Sequence, residues 1–373
     1  MRILLLSPYD ADSHRRWRQG LVAAFADMDW SVLALPARYF AWRIRGNSLS
    51  WGLGEEQVLT QPFDLLVATS MTDLSALKGL VPSLAGVPSL LYCHENQFAY
   101  PQRRDNPGND PKVVNLYAAL AADRVIFNTE YNRSSFLQGV ASFLALMPDA
   151  VPPAVVDRLR AKSTVIPVPL ETTWLGAQES TLMTDRPFTI VWNHRWEYDK
   201  GPERLSAALL ALQAAGVDFR VHVIGRPFRA IPPSFEQLRI QLGSRIGYWG
   251  RVESRSEYRR ILQDSDLVLS TALHEFQGMA VLEAVACGCV PLVPDRLAYT
   301  ELFGTEFRYA SFPGAADAEV AVLVRRLRQL ADSYLQGTLP SPPDVRAFTW
   351  QQLRPAYAAE LSSLSACRRF KRP

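Results

Sequence analysis

Charged residues in the second half of the chain occupy positions where a parallel sheet would bind an anionic ligand. Glu275 and Glu283 lie eight positions apart in TALHEFQGMAVLEAVACG, with Gly278 between them. A helix that begins near Gly278 would present free backbone N–H groups and the positive end of its dipole to a diphosphate. Helical rise keeps the two glutamates within about 12 Å of each other, a span that fits the distance from sugar to ribose in a nucleotide sugar. The pattern indicates a site for a sugar linked to a nucleoside diphosphate.

Two cations support the same chemistry. Arg195 and Lys200, in VWNHRWEYDKGPERL, occupy the connection between a strand and a helix that begins near Pro202. Positive charges at the end of a strand would stabilise a departing diphosphate. Taken alone, each charge is more typical of a solvated loop. Glu283 is harder to explain in that way, because it interrupts an apolar helical segment and a buried carboxylate without a partner is costly.

The elements that must position these residues alternate regularly between strand and helix. Each strand-like segment is apolar on both faces, as a parallel sheet covered by helices requires. Alternating βα units predict doubly wound sheets, and two series of them predict an α/β chain with two Rossmann-like domains facing a central cleft. The segments are 2–7, 30–36, 63–70, 88–93 and 124–128 in the first series and 188–193, 219–225, 245–250, 266–271 and 290–294 in the second.

Bulk composition limits the class of protein. The 373 residues exceed what one small core needs, and the formal net charge is +3. No apolar run reaches the ~18 residues of a membrane helix, and MRILLLSPYD does not fit a secretory signal, so no membrane partner is expected. Cys93, Cys287, Cys289 and Cys367 lack zinc-like spacing and favour a reducing, cytoplasmic location.

A cluster of polar residues follows a predicted strand in the first half. The apolar segment PSLLYC is followed by His94, Glu95, Asn96, Gln97 and, after two residues, Tyr100. A surface turn would explain such a cluster. We favour a substrate-facing site, because open α/β sheets bind ligands at the carboxyl ends of their strands.

Two further stretches, SHRRWRQG and RYFAWRIRGNSLSW, interleave arginines with aromatic residues. Cations beside aromatic rings are suited to binding an unstacked base and its phosphates. Amphipathic helices, however, also carry arginines on their solvent-exposed face. The residues are Arg15, Arg16, Trp17 and Arg18 in the first stretch and Arg38, Tyr39, Phe40, Trp42, Arg43, Arg45 and Trp51 in the second. Arg103, Arg104 and the tail residues Arg368, Arg369, Lys371 and Arg372 could extend the same basic surface.

The E-x7-E arrangement, the Arg-x4-Lys pair and the strand end VIGRP together resemble the retaining GT4 glycosyltransferases of GT-B architecture. The resemblance implies that Glu275 contacts the donor sugar, that Glu283 binds the ribose hydroxyls, and that Arg195 and Lys200 hold the diphosphate. It also implies that His94 faces the donor sugar. The segment FTWQQLRPAYAAEL resembles the family's last helix, which returns to the first domain.

Longer strings narrow the resemblance to one branch. LLYCHENQFAYP, LPARYFAWRIRGNSLSWG, LVATSMTDLSALKGLVPSLAG, VIFNTEYNRSSFL and NHRWEYDK are similar to the tRNA-queuosine mannosyltransferases. The resemblance implies retaining transfer of mannose from GDP-mannose to queuosine at the wobble position of a tRNA of the tRNA-Asp type. It implies the nucleotide sugar and the queuosine-bearing tRNA as partners. No metal and no cofactor are expected, because Arg195 and Lys200 would make a metal unnecessary. The residues themselves leave the hexose, the nucleotide and the oligomeric state open.

The predicted domains and site residues follow from these patterns and the resemblance. The acceptor domain is expected at 1–170, the donor domain at 171–347, and a returning helix with a basic tail at 348–373. The predicted catalytic residues are His94, Arg195, Lys200 and Glu275. The predicted donor site contains Arg195, Lys200, Gly225, Arg226, Arg251, Glu275, Phe276, Gln277, Gly278, Met279 and Glu283. The predicted acceptor and tRNA site contains Ser13, His14, Arg15, Arg16, Arg38, Trp42, Arg43, Arg45, Glu95, Asn96, Gln97 and Tyr100.

One loop departs from the family pattern. In YDADSHRRW, Asp10, Ala11 and Asp12 stand where the family has glycines, so we expect the two aspartates to repel a nearby phosphate. Other functions stay open: a GT4-like enzyme with a glycan, lipid or small-molecule acceptor, a nucleotide-sugar epimerase, and a catalytically idle nucleotide-sugar binding protein.

Overall fold

The computed structural model describes residues 1–100, 108–175, 186–227 and 231–370, with side chains described as far as residue 365. The chain divides into two compact units. The first combines Met1–Pro169 with Trp350–Pro373, and the second is Leu170–Thr349. Each unit contains one six-stranded sheet in which every strand pairing is parallel.

The strands are β1 Arg2–Ser7, β2 Asp29–Ala34, β3 Leu65–Thr69, β4 Ser89–Cys93, β5 Arg124–Phe127, β6 Ser163–Val165, β7 Phe188–Asn193, β8 Phe219–Ile224, β9 Ile246–Gly250, β10 Leu267–Leu269, β11 Val290–Pro294 and β12 Arg308–Tyr309. The helices are α1 Asp12–Ala24, α2 Phe40–Gly54, α3 Glu56–Leu59, α4 Leu74–Leu80, α5 Pro82–Ala85, α6 Asp110–Ala121, α7 Glu130–Leu144, α8 Val155–Ala161, α9 Pro202–Ala214, α10 Pro233–Leu242, α11 Arg255–Gln263, α12 Met279–Ala286, α13 Tyr299–Leu302, α14 Ala316–Leu335 and α15 Trp350–Phe370. Short 3-10 turns cover Thr172–Trp174, Tyr198–Lys200, Gly243–Arg245, Thr305–Phe307 and Arg346–Phe348.

The order of the strands locates the switch point of each sheet. The first sheet has the order β2-β1-β3-β4-β5-β6, and the second has the order β12-β11-β10-β7-β8-β9. The chain leaves β1 toward β2 on one side and returns to β3 on the other, so the first switch point lies between β1 and β3. By the same reasoning the second lies between β7 and β10. Ligands of open α/β sheets bind outside the carboxyl ends of the strands at these points.

The α/β class predicted from the sequence is confirmed, and every predicted strand segment overlaps an observed strand. β3, β4, β7 and β11 are buried along their whole length, which explains why they are apolar on both faces. β6 and β12, which have three and two residues, were not predicted from the sequence. Segments that short carry no recognisable period.

The C-terminal helix α15 packs within the first unit. Tyr357 Oη accepts a hydrogen bond from Trp17 Nε1 (3.0 Å) and donates one to the carbonyl of Pro167 (3.0 Å). A Cβ at Gly20 would approach the indole of Trp350 to 2.5 Å, so glycine is required at that contact. In the part of the chain that the structure describes, no helix has both the length and the hydropathy to span a bilayer.

Candidate active site

The loops that follow β7 and β10 meet at the switch point of the second sheet. The carbonyl of Asp199 accepts hydrogen bonds from the N–H groups of Leu273 (2.8 Å) and His274 (3.1 Å). Thr271 Oγ1 donates to the carbonyl of Lys200 at 2.8 Å. Backbone and side-chain hydrogen bonds therefore hold the two loops in one arrangement, as a binding site requires.

Gly201 is the reason the loops can approach so closely. Its φ of +66° lies in the left-handed region, and a Cβ there would come within 2.2 Å of the carbonyl oxygen of Thr271. Any larger residue would combine backbone strain with a backbone clash. The helix α9 begins at the next residue, Pro202, as the sequence predicted.

Lys200 and Glu275 form a buried ion pair between these loops. Lys200 Nζ donates to the carbonyl of His274 at 2.7 Å and lies 3.2 Å from Glu275 Oε2. It also lies 3.3 Å from Asp199 Oδ2. The two residues predicted from separate motifs are therefore in direct contact.

The ion pair sets both protonation states. Burial by itself would lower the pKa of Lys200, but the charges of Glu275 and Asp199 outweigh it and raise that pKa above its ordinary value. Burial would raise the pKa of Glu275, but Lys200 outweighs it and lowers that pKa to about 2. Lys200 is therefore an ammonium and Glu275 a carboxylate throughout the neutral range. Glu275 can accept hydrogen bonds from sugar hydroxyls but is not a proton donor.

Two histidines flank the ion pair and were missed by the sequence analysis. Burial and the charge of Lys200 lower the pKa values of His194 and His274 to about 4, so both rings are neutral at pH 7. Each histidine directly precedes a predicted charged residue, Arg195 or Glu275. That adjacency was the only signal in the sequence, and it gave no indication of burial.

Glu283 has a partner inside the protein. The residue is 4% exposed, and its Oε2 accepts a hydrogen bond from Tyr258 Oη at 3.0 Å. The same hydroxyl accepts from Asn193 Nδ2 at 3.1 Å, and that amide also donates to the carbonyl of Ala280 at 2.7 Å. Tyr258 and Asn193, which the sequence analysis missed, come from α11 and the end of β7 and connect these elements to α12. Their role follows from tertiary contacts that have no counterpart in the sequence.

The helix α12 begins as expected from its glycine. Gly278 precedes the first helical residue, Met279, with a φ of +77°. The neighbouring Phe276 and Gln277 are buried, and the N–H of Phe276 donates to Glu275 Oε1 at 3.1 Å. This geometry places the glutamate immediately before the N-terminus of α12.

The remaining predicted donor residues differ in their surroundings. The side chain of Arg195 is about half exposed and lies 3.3 Å from Glu197 Oε2. Arg251 is half exposed and lies 3.1 Å from Glu253, and Arg226 is exposed. Gly225 has a packing role, since a Cβ there would come within 1.8 Å of the carbonyl oxygen of His194.

In the first unit, His94 lies in a box of aromatic rings. Its imidazole stacks on His14 with centroids 4.1 Å apart and an angle of 18° between the rings. Trp17 and Tyr92 contact it edge-on at 5.0 and 4.8 Å. Burial, followed by the charge of His14, lowers the pKa of His94 well below its ordinary value, so the ring is neutral. The structure thus brings together two histidines that were predicted for different roles.

The polar residues after His94 divide into two kinds. Asn96 is buried and holds the loop: its Nδ2 donates to Asn132 Oδ1 at 2.9 Å, and its Oδ1 accepts from the N–H of Ala99 at 2.9 Å. Gln97 is also buried, but its Nε2 contacts Met71 Sδ at 3.9 Å, a weak acceptor. Of the other predicted acceptor residues, Glu95 and Tyr100 are half-buried and Ser13 is exposed.

Asp10 requires a correction. Both of its carboxylate oxygens are engaged by Arg18, at 3.0 and 2.8 Å, and Ser7 Oγ donates to Oδ1 at 2.9 Å. The expectation that Asp10 repels a phosphate is wrong, because an adjacent guanidinium balances its charge. Asp12 is exposed at the start of α1 and lies 3.2 Å from Arg15.

The stretch around Trp17 does not form the expected surface of cations and aromatics. Trp17 is 2% exposed and stacks on Tyr92 at 4.2 Å, so it is unavailable to a base. Trp51, which belongs to the second stretch, is likewise buried in the core of the first unit. Arg15 and Arg16 are exposed without an exposed aromatic residue of their own segment. The prediction was wrong because arginines on the solvent-exposed face of a helix and a tryptophan in the core can have the same sequence spacing as a binding motif.

The second stretch does form such a surface, on α2 and the two residues before it. Tyr39 and Trp42 are 72% and 51% exposed. The guanidinium of Arg38 lies 5.6 Å from the centre of the Tyr39 ring, and Arg45 is exposed and 3.6 Å from Asp73 Oδ2. Arg43 is half-buried on the same helix. Arg103, Arg104, Lys371, Arg372 and the side chains of Arg368 and Arg369 lie outside the described residues.

Comparison with known proteins agrees with these two units. Residues 2–170 match the family described as tRNA-queuosine alpha-mannosyltransferase N-terminal, and residues 177–333 match Glycosyl transferases group 1. The chain is 34% identical over 317 residues to the tRNA-queuosine alpha-mannosyltransferase of Drosophila melanogaster, covering 82% of this chain and 83% of that protein. It is 28% identical over 303 residues to a GDP-mannose-dependent alpha-(1-6)-phosphatidylinositol dimannoside mannosyltransferase of Mycobacterium tuberculosis, covering 76% and 70% of the two chains.

Solved structures share the fold at low sequence identity. Anabaena Alr3699/HepE in complex with UDP has a TM-score of 0.66 at 15% identity, covering 97% of this chain and all of that one. Sucrose-phosphate synthase from Thermosynechococcus elongatus has a TM-score of 0.66 at 14% identity, covering 98% and 100%. The architecture is therefore GT-B, with two Rossmann-like domains. The match of residues 177–333 to Glycosyl transferases group 1, together with the Drosophila relative, shows that the chain is a glycosyltransferase. Its identity to the Drosophila protein over four fifths of both chains shows that it belongs to the tRNA-queuosine alpha-mannosyltransferase family.

Proposed function

We propose that this glycosyltransferase moves mannose from GDP-mannose, with retention, to queuosine at the wobble position of a tRNA of the tRNA-Asp type. The observation that carries the proposal is the buried Lys200–Glu275 ion pair at the switch point of the second sheet, in a chain of this family. An ammonium held between two loops at that point is suited to an anionic donor.

The donor binds to the second unit. Lys200, Arg195 and the N-terminus of α12 stabilise the charge of the diphosphate as the glycosidic bond breaks. Glu275 accepts hydrogen bonds from the hexose, since its low pKa keeps it ionised. Glu283, eight residues further along and on the helix, accepts hydrogen bonds from the ribose. The two cations supply the positive charge that the leaving group needs, so the proposal invokes no metal and no cofactor.

Retention follows from attack on the face that the leaving group departs from. The departing phosphate accepts the proton of the acceptor hydroxyl, while Lys200 and Arg195 balance its charge. Glu275 is a poor candidate for a covalent nucleophile, because its carboxylate is already paired with Lys200 at 3.2 Å. His94, neutral in its aromatic box, hydrogen-bonds the donor sugar.

The acceptor binds to the first unit. The exposed rings of Tyr39 and Trp42 offer stacking surfaces for unpaired bases, and Arg38 and Arg45 beside them offer charge for phosphates. A tRNA acceptor places the reaction in the cytoplasm.

A lipid acceptor is the second candidate, because the Mycobacterium relative is named as a phosphatidylinositol dimannoside mannosyltransferase. The two acceptors differ in an observable way. Binding to tRNA should weaken steeply as salt rises, whereas a neutral contact to a lipid glycan should not.

The test is to incubate the protein with GDP-mannose and either queuosine-containing or queuosine-free tRNA, and to weigh the digested nucleosides. We expect a hexose added to queuosine in the first reaction only, with retained anomeric configuration by NMR. GDP-glucose and UDP-glucose replace the donor to test the hexose and the nucleotide. Transfer to a glycolipid but not to tRNA would contradict the proposal, and release of no GDP with either acceptor would indicate an idle binding protein.

A further inference from the structure

The loop after β3 lies at the switch point of the first sheet. β3 stands between β1 and β4 in the sheet. His14 comes from α1, which follows β1, and His94 follows β4, so their stacked rings meet across the end of β3. Residues 69–73 therefore occupy the position where an open α/β sheet binds its ligand. No predicted site residue came from this loop.

The backbone of this loop is held by two buried asparagines. Asn115 Nδ2 donates to the carbonyl of Ser70 at 2.7 Å. Asn47 donates to the carbonyl of Met71 and accepts from the N–H of Asp73, both at 3.1 Å. The loop is thus fixed in place before any ligand arrives.

The side-chain hydroxyls of the same loop, unlike its backbone groups, have no hydrogen-bond partners among the described residues. Thr69, Ser70 and Thr72 are at most 1% exposed, yet their Oγ atoms have no hydrogen-bond partner among the described residues. A buried hydroxyl without a partner is costly, and native structures contain few of them. Three in four consecutive residues, beside a backbone that Asn47 and Asn115 hold in place, indicate partners that are supplied by a ligand or by water.

Neighbouring groups share this character. His94 Nε2 is also buried without a partner among the residues described, and Gln97 has only the thioether of Met71 for its amide. Asn47, which holds the loop, lies on α2, and Asp73 lies 3.6 Å from the exposed Arg45 of that helix. The hydroxyl loop and the exposed face of α2 therefore form one connected structure.

We propose that the hydroxyls of Thr69, Ser70 and Thr72 form the subsite that binds the hydroxyl groups of the acceptor. The inference rests on the proposed function and assigns the acceptor's vicinal diol to this loop. A serine or threonine hydroxyl donates one hydrogen bond and accepts two, and each hydroxyl of a diol does the same. The loop can therefore bind one hydroxyl of the diol while the other stays available for reaction.

The competing explanation is an internal water molecule that is always bound and forms hydrogen bonds with these hydroxyls. The two cases differ in what removal of a hydroxyl does. A structural water would lose a partner in the unliganded protein, and the melting temperature would fall. A ligand subsite would leave the melting temperature unchanged or higher and would weaken acceptor binding.

The experiment uses the full chain and the variants Ser70→Ala and Thr72→Val, with queuosine-containing tRNA as the probe. We expect each variant to raise the KM for tRNA about tenfold, which corresponds to about 1.4 kcal/mol. The factor should be the same at low and high salt, because a hydroxyl contact involves no counterion release. Thr72→Ser keeps a hydroxyl and should restore the wild-type KM. Ser83→Ala removes a hydroxyl of α5 that is bonded to the carbonyl of Leu59, and it should not change the KM.

The outcomes separate this inference from the proposed function. Wild-type protein that transfers no hexose to queuosine would overturn the proposed function. Wild-type activity with an unchanged KM in both variants would overturn the inference alone, and so would a lower melting temperature with an unchanged KM. Binding of GDP, measured by calorimetry, verifies in each variant that the second unit is intact.

Discussion

Lys200 Nζ lies 3.2 Å from Glu275 Oε2, and this contact joins the loops that follow β7 and β10. The side chain of Lys200 is 8% exposed, so its charge is balanced inside the protein rather than by water. One ion pair thereby serves both the stability of the loop arrangement and the charge of the proposed donor site.

Removing Lys200 should therefore affect stability and activity together. Lys200→Met leaves the carboxylate of Glu275 without its main partner, which we expect to cost about 3–5 kcal/mol of the free energy of unfolding. Transfer should fall by about 10²-fold or more, the effect of losing one preorganised charge-stabilising group. Urea unfolding and single-turnover assays measure the two effects.

A double variant separates them. Lys200→Met with Glu275→Gln removes both charges, so most of the stability should return while activity stays low. Lys78→Met is a matched control, because Lys78 bonds to Ser89 and two backbone carbonyls of the first unit. Its loss should lower stability without lowering the activity of the folded protein. Near-normal transfer by folded Lys200→Met protein would remove Lys200 from the mechanism.

Glu283→Gln should weaken donor binding selectively. The amide oxygen can still accept the hydrogen bond from Tyr258, so the local structure should persist. Loss of the charge weakens hydrogen bonds to the ribose, and we expect the donor KM to rise about 10- to 100-fold with a smaller change in kcat. Tyr258→Phe, by contrast, should mainly lower stability. Steady-state kinetics with varied GDP-mannose test both, and an unchanged KM in Glu283→Gln would place the ribose elsewhere.

Acid should destabilise the protein through its buried histidines. The pKa values of His194, His222 and His274 are lowered to about 4, chiefly by burial. In the unfolded chain these histidines bind protons below about pH 6.5, but in the folded protein they bind them only below about pH 4. Their contribution to stability is therefore fully present at neutral pH and is lost as the pH falls from about 6.5 to about 4. Glu275, whose pKa is lowered to about 2 by folding, contributes a further loss of stability only when the pH falls below the ordinary glutamate pKa of 4.5.

His222→Gln tests this account outside the proposed active site. The variant should lose less stability between about pH 7 and pH 5, with a difference of no more than about 3 kcal/mol, and should keep its activity. Urea midpoints across that range provide the measurement. An acid limb identical to that of the wild type would show that His222 is not protonated on unfolding.

The exposed face of α2 should contribute to tRNA binding in two distinguishable ways. Trp42→Ala should weaken binding by about 1–3 kcal/mol through lost stacking, at every salt concentration. Arg38→Ala and Arg45→Ala should reduce the slope of log affinity against log salt by about 0.7–0.9 each. Arg325→Ala and Arg328→Ala, exposed on α14 of the second unit, are the matched controls. Equal effects from both pairs of arginines would mean that binding reflects net charge alone.

Much of the fold was predictable because it depends on local patterns. The apolar runs of β1, β4 and β7 match observed strands to within a residue, since a strand covered on both faces must be apolar throughout. The start of α12 was predictable from Gly278, and that of α9 from Gly201 and Pro202. These signals lie within a few residues of the feature they specify.

The candidate site was predictable only in part. Sequence spacing identified Lys200 and Glu275 separately, but not their contact across 75 positions. It assigned Asp10 to phosphate repulsion and Trp17 to stacking, whereas Arg18 pairs with the first and the core buries the second. Burial and pairing are properties of the assembled sheet, and a charged or aromatic residue looks the same in sequence with or without them.

The amino-acid sequence by itself determined the α/β class, the two sheets and the identity of the charged residues at their strand ends. Only the tertiary structure decided which of those charges are buried, which histidines are neutral, and that the hydroxyls of Thr69, Ser70 and Thr72 are buried without partners among the described residues. The physical reason is that periodicity is a property of neighbouring residues, whereas the pKa and hydrogen bonding of a side chain depend on groups brought to it from distant parts of the chain.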